Sequence, residues 1–281
     1  MERLPTIAAM RAARAGRARV VCVPTMGNLH AGHIALIRHA RECGDYVVAT
    51  IFVNRLQFGP NEDFARYPRT FEADCAQLAA AGCDAVFAPD EAALYPDPQT
   101  YRVDPTPELA DILEGEFRPG FFRGVATVVT KLFNIVQPDT AIFGKKDYQQ
   151  LIVIGNMVRQ LAQPVVIVAH ETARAEDGLA LASRNGYLSA AERAQAPLLY
   201  RELKTCVDAL TQGDRQFEAL ESGAMQRLVT AGWRPDYIAI RRQSDLAPPA
   251  PGDQALVIVG AARIGSTRLI DNLEVALQAP K

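Results

Sequence analysis

Two periods alternate along the first 170 residues. A short β-branched run at residues 19–23 ends on Pro24. Residues 46–53 form a longer apolar run interrupted only by Thr50. Runs without polar alternation predict strands covered on both faces. Residues 84–88, 140–143 and 164–169 predict three more strands. Between them, apolar positions recur at helical spacing over about 32–43, 70–81, 122–136 and 147–161. In the third of these, Phe122, Val125, Val129, Leu132, Phe133 and Val136 recur on one helical face despite the β-branched content. Gly82 follows the second as a C-cap. Strands alternating with helices predict an α/β fold, a doubly wound parallel sheet of Rossmann-like type.

The pattern changes after His170. Polar and small residues fill 171–189. Helices are expected at about 190–212 and 215–231, then short strands near 237–241 and 255–260. This predicts a smaller C-terminal α+β domain, residues 173–281, behind a first domain spanning 1–172. Residues 246–251 hold three prolines and read as a rigid loop.

Composition narrows the function classes. The chain has 281 residues, of which 49% are hydrophobic, enough for two cores. Its net charge of −2 offers no basic field for non-specific nucleic-acid binding. The five cysteines match no metal or redox spacing and read as reduced packing thiols. The first five residues lack a signal-peptide profile, and no apolar stretch approaches about 18 residues. A soluble cytoplasmic protein with neither nucleic-acid nor membrane partners is expected.

Four segments carry candidate chemistry. Pro24-Thr25-Met26-Gly27-Asn28-Leu29-His30-Ala31-Gly32-His33 begins where the first strand ends and runs into a helix. A helix start at the carboxyl end of a parallel strand suits phosphate, because N–H groups and the positive dipole end face it. Gly27 and Gly32 permit close backbone approach, and His30 and His33, three apart, can face one way and donate to charge developing at phosphorus. Asn54 and Gln57 follow the second strand and could enter the same crevice. In Gly144-Lys145-Lys146-Asp147-Tyr148-Gln149-Gln150, Asp147 is a plausible N-cap, Lys146 is placed to reach phosphate, and Gln150 lies one turn into the helix. Ser183 and Arg184 near the domain boundary would supply a hydroxyl and a guanidinium.

The first segment resembles the HxGH signature of the nucleotidyltransferase superfamily. The four together resemble the pantothenate synthetase family over nearly the whole chain. The resemblance extends to Glu62-Asp63, Tyr67-Pro68-Arg69-Thr70, Leu113-Glu114-Gly115, Arg118-Pro119-Gly120, the run from Lys131 to Asp139, and the closing Arg268-Leu269-Ile270-Asp271-Asn272. It implies ATP-dependent joining of pantoate to β-alanine through pantoyl adenylate, releasing AMP and pyrophosphate. It implies ATP binding by Met26, Gly27, His30, Gly32, His33, Gly144, Lys146, Asp147, Ala173, Leu181, Ser183 and Arg184. His33 would be the proton donor, with His30 and Lys146 sharing the catalytic work. Gln57, Gln150, Asn54 and Met26 would meet pantoate and β-alanine. It also implies Mg²⁺, with ligands the sequence leaves open, a homodimer, and a C-terminal lid. Arg55, Phe121, Lys145, Gly155 and Ala182 depart from the family's usual residues. An adenylyltransferase with a phosphorylated acceptor and a catalytically weak adenylate-binding module are the alternatives.

Overall fold

The computed structural model describes residues 1–60 and 62–277. It divides into two compact units. One comprises Met1–Gly144 with Val153–Glu171, the other Lys145–Ile152 with Thr172–Lys281.

The first unit is built on a six-stranded parallel sheet of β1 (Glu2–Leu4), β2 (Val20–Thr25), β3 (Tyr46–Ile51), β4 (Ala85–Phe87), β5 (Thr140–Gly144) and β6 (Val166–His170), in the order β1-β4-β3-β2-β5-β6. The helices are α1 (Ile7–Arg14), α2 (Ala31–Cys43), α3 (Phe71–Ala80), the short α4 (Glu91–Leu94), α5 (Pro107–Ala110) and α6 (Glu114–Phe117), then α7 (Phe121–Val136) and, from Val153 onward, α8 (Tyr148–Gln160), whose first turn is counted with the second unit. The doubly wound parallel sheet expected from the apolar runs is present. Val21, Val23, Val47, Ala49 and Val86 point to a core closed by Ile37 and Ala40 of α2 and Leu78 of α3. The alternate residues Val20, Cys22, Val48 and Phe87 are equally buried on the opposite face.

β2 pairs with β3 over six residues, from Val20↔Tyr46 to Thr25↔Ile51. With β5 it pairs only at Val21↔Thr140 and Cys22↔Ala141. Strand order reverses at this point, and beyond Cys22 the carboxyl ends of β2 and β5 are no longer laddered. A topological switch point of this kind is where open parallel sheets hold ligands.

The apolar pattern predicts neither β1 nor α1. β1 is three residues long with Leu4 alone buried, too short for a period to show. Thr6 caps α1 by accepting the Ala9 N–H at 3.1 Å.

The second unit packs α9 (Ala190–Gln195), α10 (Leu198–Thr211) and α11 (Phe217–Thr230) with an antiparallel sheet of β7 (Arg234–Arg242), β8 (Ala255–Ile264) and β9 (Thr267–Ala276), in that order. Leu199, Leu203, Leu210, Leu228, Ile240, Leu256 and Ile258 form its core. Two expectations are corrected here. The single helix over 190–212 is two, because Pro197 has no N–H to continue the first and instead opens the second. β9 is an additional strand: Gly265 (φ +55°) and Ser266 make a two-residue hairpin turn that returns the chain along all of β8. Residues 171–189 carry structure of their own. Leu181 donates to Ala173 and Ala175 to Leu179, both at 2.9 Å, making a small hairpin turned at Gly178 (φ +93°), followed by a 3-10 turn at Ser183–Tyr187.

All five cysteines are free thiols, Cys43 half-buried and the others buried. Burial pushes Cys83 and Cys206 up to about 11, as befits packing groups. Among the described residues no helix is long and apolar enough to cross a membrane.

Candidate active site

The loop leaving β2 is held by bonds from three directions. The Thr25 hydroxyl donates to the Thr50 carbonyl at 2.7 Å and accepts the Gly27 N–H at 3.2 Å. Gly27 sits at φ +81°, and a Cβ there would lie 3.1 Å from both Asp74 Oδ2 and Ile51 Cγ2. Asp74, 1% exposed on α3, accepts the N–H groups of Asn28 (2.9 Å) and Leu29 (2.8 Å) and the Thr70 hydroxyl (3.1 Å). A buried carboxylate is thus matched to two backbone donors of the loop. Asp74 is a positioning residue that lies outside the four sequence segments. Its signal in the sequence is a charge on the apolar side of a predicted helix, beside Cys75 and Leu78.

His30 and His33 start α2 as a capping box. His30 Nδ1 accepts the Gly32 N–H at 3.1 Å, and His33 Nδ1 accepts the His30 N–H at 3.4 Å. The rings lie 4.1 Å apart. A ring nitrogen that accepts a backbone N–H carries no proton, so each neutral imidazole bears its proton on Nε2. Both histidines are thereby set as Nε2–H donors at the switch point.

Gln57 is 8% exposed and donates through Nε2 to Met26 Sδ at 3.3 Å. The structure therefore brings the second sequence segment against the first. Gln57 lies in the 3-10 turn Arg55–Gln57. That turn packs so closely on α7 that a Cβ on Gly124 would fall 2.2 Å from the Leu56 carbonyl oxygen. Arg118 braces the same turn. It donates to the Gln57 carbonyl at 3.3 Å and to both Glu62 oxygens at 2.6 and 2.8 Å. Asn54, expected at the substrate, is 1% exposed and bonded on all sides by the protein. Its Nδ2 donates to Gln57 Oε1 (3.0 Å) and the Gly124 carbonyl (3.1 Å), while its Oδ1 accepts from the Tyr95 hydroxyl (2.9 Å) and the Leu56 N–H (3.4 Å). That uses the amide's whole bonding capacity.

In the second unit, Lys145, Lys146 and Asp147 form a 3-10 turn, so Asp147 stands within a turn instead of capping α8 alone. Asn272 of β9 donates to the carbonyls of both Lys145 and Lys146 at 2.8 Å. Lys145 Nζ meets Glu274 Oε2 at 2.7 Å, and Tyr148 donates to the other Glu274 oxygen at 3.0 Å. The two lysines are therefore distinguished: Lys145 is engaged with β9, while Lys146 Nζ has Asp147 at 4.0 Å. The neighbouring Asp271, 5% exposed, binds Arg174 through two bonds of 2.7 and 2.9 Å. Arg174 also donates to the carbonyls of Gly178 and Asn272, each at 3.0 Å. Arg174 lies in the hairpin bounded by Ala173 and Leu181, just ahead of Ser183 and Arg184. Adjacent residues of β9 thus hold both the Lys146 turn and this hairpin. Gln150 belongs to this unit as well.

Some departures find an account. Arg55 pairs with Glu91 at 2.8 and 3.0 Å and lies 4.2 Å over the Phe64 ring. Phe121 is stacked under the Arg118 guanidinium at 3.6 Å. Nothing lies within 4 Å of a Cβ built on Gly155, so nothing in the structure requires glycine there.

A doubly wound parallel sheet with a tight glycine turn and paired Nε2–H donors at its switch point belongs to the Rossmann-like α/β class, which holds ligands at that place. The family model Pantoate-beta-alanine ligase matches residues 2–274. A crystal structure of pantothenate synthetase from Thermus thermophilus is similar at 46% identity and TM-score 0.94, covering 98% of this chain and 100% of that one. A pantoate-beta-alanine ligase from Francisella tularensis, solved in complex with beta-gamma ATP and beta-alanine, is similar at 33% identity and TM-score 0.83, with 97% of each chain covered. The chain belongs to the pantoate-beta-alanine ligase family and carries out the ATP-dependent ligation of pantoate to β-alanine.

Proposed function

We propose that the ligation passes through pantoyl adenylate. A pantoate carboxylate oxygen attacks the α-phosphorus of ATP, the bond to the bridging oxygen breaks, and pyrophosphate leaves. The β-alanine amine then attacks the activated carbonyl, loses a proton, and expels AMP. The chain need supply no nucleophile; its part is positioning and stabilisation of charge on the phosphoryl oxygens. The observation that carries this reading is the histidine pair, whose Nδ1 atoms receive backbone N–H groups so that both Nε2–H groups are donors.

In this reading His30 and His33 donate to phosphate oxygens, with His33 as proton donor. Lys146 brings positive charge, and Met26, Gly27, Gly32, Gly144, Asp147, Ala173, Leu181, Ser183 and Arg184 complete ATP binding. Gln57 and Gln150 bind pantoate, and Gln57 then meets β-alanine. A neutral amide suits that task, because a fixed carboxylate would hold the amine as a non-nucleophilic ammonium. Among the described residues no three His, Cys, Asp or Glu side chains are placed to hold a metal. Mg²⁺, implied by the family resemblance, would enter with the triphosphate, whose oxygens and waters suit its octahedral shell. The second unit as a lid, a homodimer and a cytoplasmic setting complete the proposal, on the family resemblance alone.

The test is exchange of labelled pyrophosphate into ATP. Pantoate alone should drive it. Exchange that requires β-alanine would sink the adenylate scheme.

A further inference from the structure

From Tyr95 to Gln57 runs a chain of hydrogen bonds with a defined direction. The Tyr95 hydroxyl donates to Asn54 Oδ1 at 2.9 Å, and Asn54 Nδ2 donates to Gln57 Oε1 at 3.0 Å. Gln57 Nε2 faces Met26 Sδ at 3.3 Å. Each link determines the next. The amide oxygen of Asn54 has no hydrogen to give, so the Tyr95 hydroxyl donates to it, and burial, with the Glu91 carboxylate second, pushes Tyr95 up. Asn54 Oδ1 also accepts the Leu56 N–H, and Nδ2 also donates to the Gly124 carbonyl. These two backbone bonds exclude the flipped amide. Asn54 can therefore offer Gln57 only a donor, and Gln57 must answer with its oxygen.

We infer that Tyr95 is a positioning residue for pantoate: through Asn54 it holds the Gln57 amide with its oxygen inward, so that Gln57 meets the substrate as an N–H donor. A glutamine in a pocket can otherwise present oxygen or nitrogen by rotating about its last bond. An N–H donor favours the acceptor atoms of pantoate, its carboxylate and the lone pairs of its hydroxyls. It offers nothing to an ammonium, which matches an amine that must arrive uncharged. The Tyr95 ring is held independently of its hydroxyl. It lies 5.7 Å from the Phe52 ring, and Lys131 Nζ stands 4.5 Å above it while donating to Gln99 Oε1 at 2.9 Å. Removing the oxygen alone should therefore leave the ring in place.

This inference rests on Gln57 lying in the pantoate pocket, and the experiment separates the two. Steady-state constants for pantoate and ATP are measured for wild type, Tyr95→Phe, Asn54→Asp and Gln57→Ala. Tyr95→Phe should raise KM for pantoate about three- to tenfold, the effect of losing one ordering hydrogen bond. KM for ATP and the thermal midpoint should stay near wild type. Asn54→Asp, which turns the donor facing Gln57 into an acceptor, should raise KM for pantoate further. If Gln57→Ala impairs pantoate use while Tyr95→Phe leaves it unchanged, the relay is wrong and the pocket stands. If Gln57→Ala itself leaves pantoate use intact, the pocket assignment fails. A Tyr95→Phe protein whose KM rises equally for pantoate and ATP would also overturn the relay, since the hydroxyl would then act on the fold at large.

Discussion

The loop after β2 and the turn after β5 follow neighbouring strands of one sheet, and they are built by opposite means. Residues 24–33 are held largely by their own side chains: Thr25 closes the turn, and His30 and His33 cap the helix. The outside support that reaches its backbone N–H groups is Asp74 of α3, 45 and 46 positions away, and Thr50 and Gln57 add bonds to Thr25 and Met26. Residues 145–147 are held by Asn272, which lies 126 and 127 positions from the carbonyls it binds. One segment carries most of its geometry in its local sequence, while the other borrows it from a distant strand. A local motif should survive loss of distant structure, whereas the Lys146 turn should loosen when β9 is disturbed.

The largest expected effect tests whether the borrowed turn carries the chemistry. Lys146→Ala should lower pantoate-dependent pyrophosphate exchange about 10²- to 10³-fold, the loss of one preorganised charge donor. A loss below tenfold would shift the weight of catalysis to the histidine loop. Next comes the support of the local loop. Asp74→Ala orphans two backbone N–H groups at a buried site and should cost about 3 kcal/mol in urea unfolding, with weakened ATP binding. Unchanged stability would mean that the loop needs no partner outside itself. The smallest effect is on the other support. Asn272→Ala removes two bonds to the Lys145 and Lys146 carbonyls and should slow exchange about tenfold, at a stability cost of about 1–2 kcal/mol. Exchange at the wild-type rate would erase the contrast between the two segments.

The same contrast explains what could be read in advance. The apolar runs of β2 and β3 and the spacing in α7 are local signals, and they place the sheet and its principal helices. The glycine–histidine loop is equally visible, because turn, cap and donor occur within ten residues. Asn272 and Arg174 are not legible as supports. Their meaning depends on β9 lying beside both the Lys146 turn and the hairpin at Gly178, a pairing no local window contains. The bonds of Asn54 are hidden from the sequence for a related reason. Its position after a strand suggests the crevice, but the close approach at Gly124 and the hydroxyl of Tyr95 turn it inward.

The histidine capping box has a consequence for which replacements the site can accept. Asparagine places a polar atom near Nδ1 of imidazole, and glutamine places one near Nε2. At His30, asparagine would preserve the start of α2 and lose the outward donor; glutamine would preserve the outward donor and surrender the cap. At His33 the same division applies to the bond from the His30 N–H. Neither isostere spans both ends of the ring. The mutational freedom of these two positions is therefore narrower than either role alone would impose, since one flat ring joins the architecture of a helix to the chemistry in front of it.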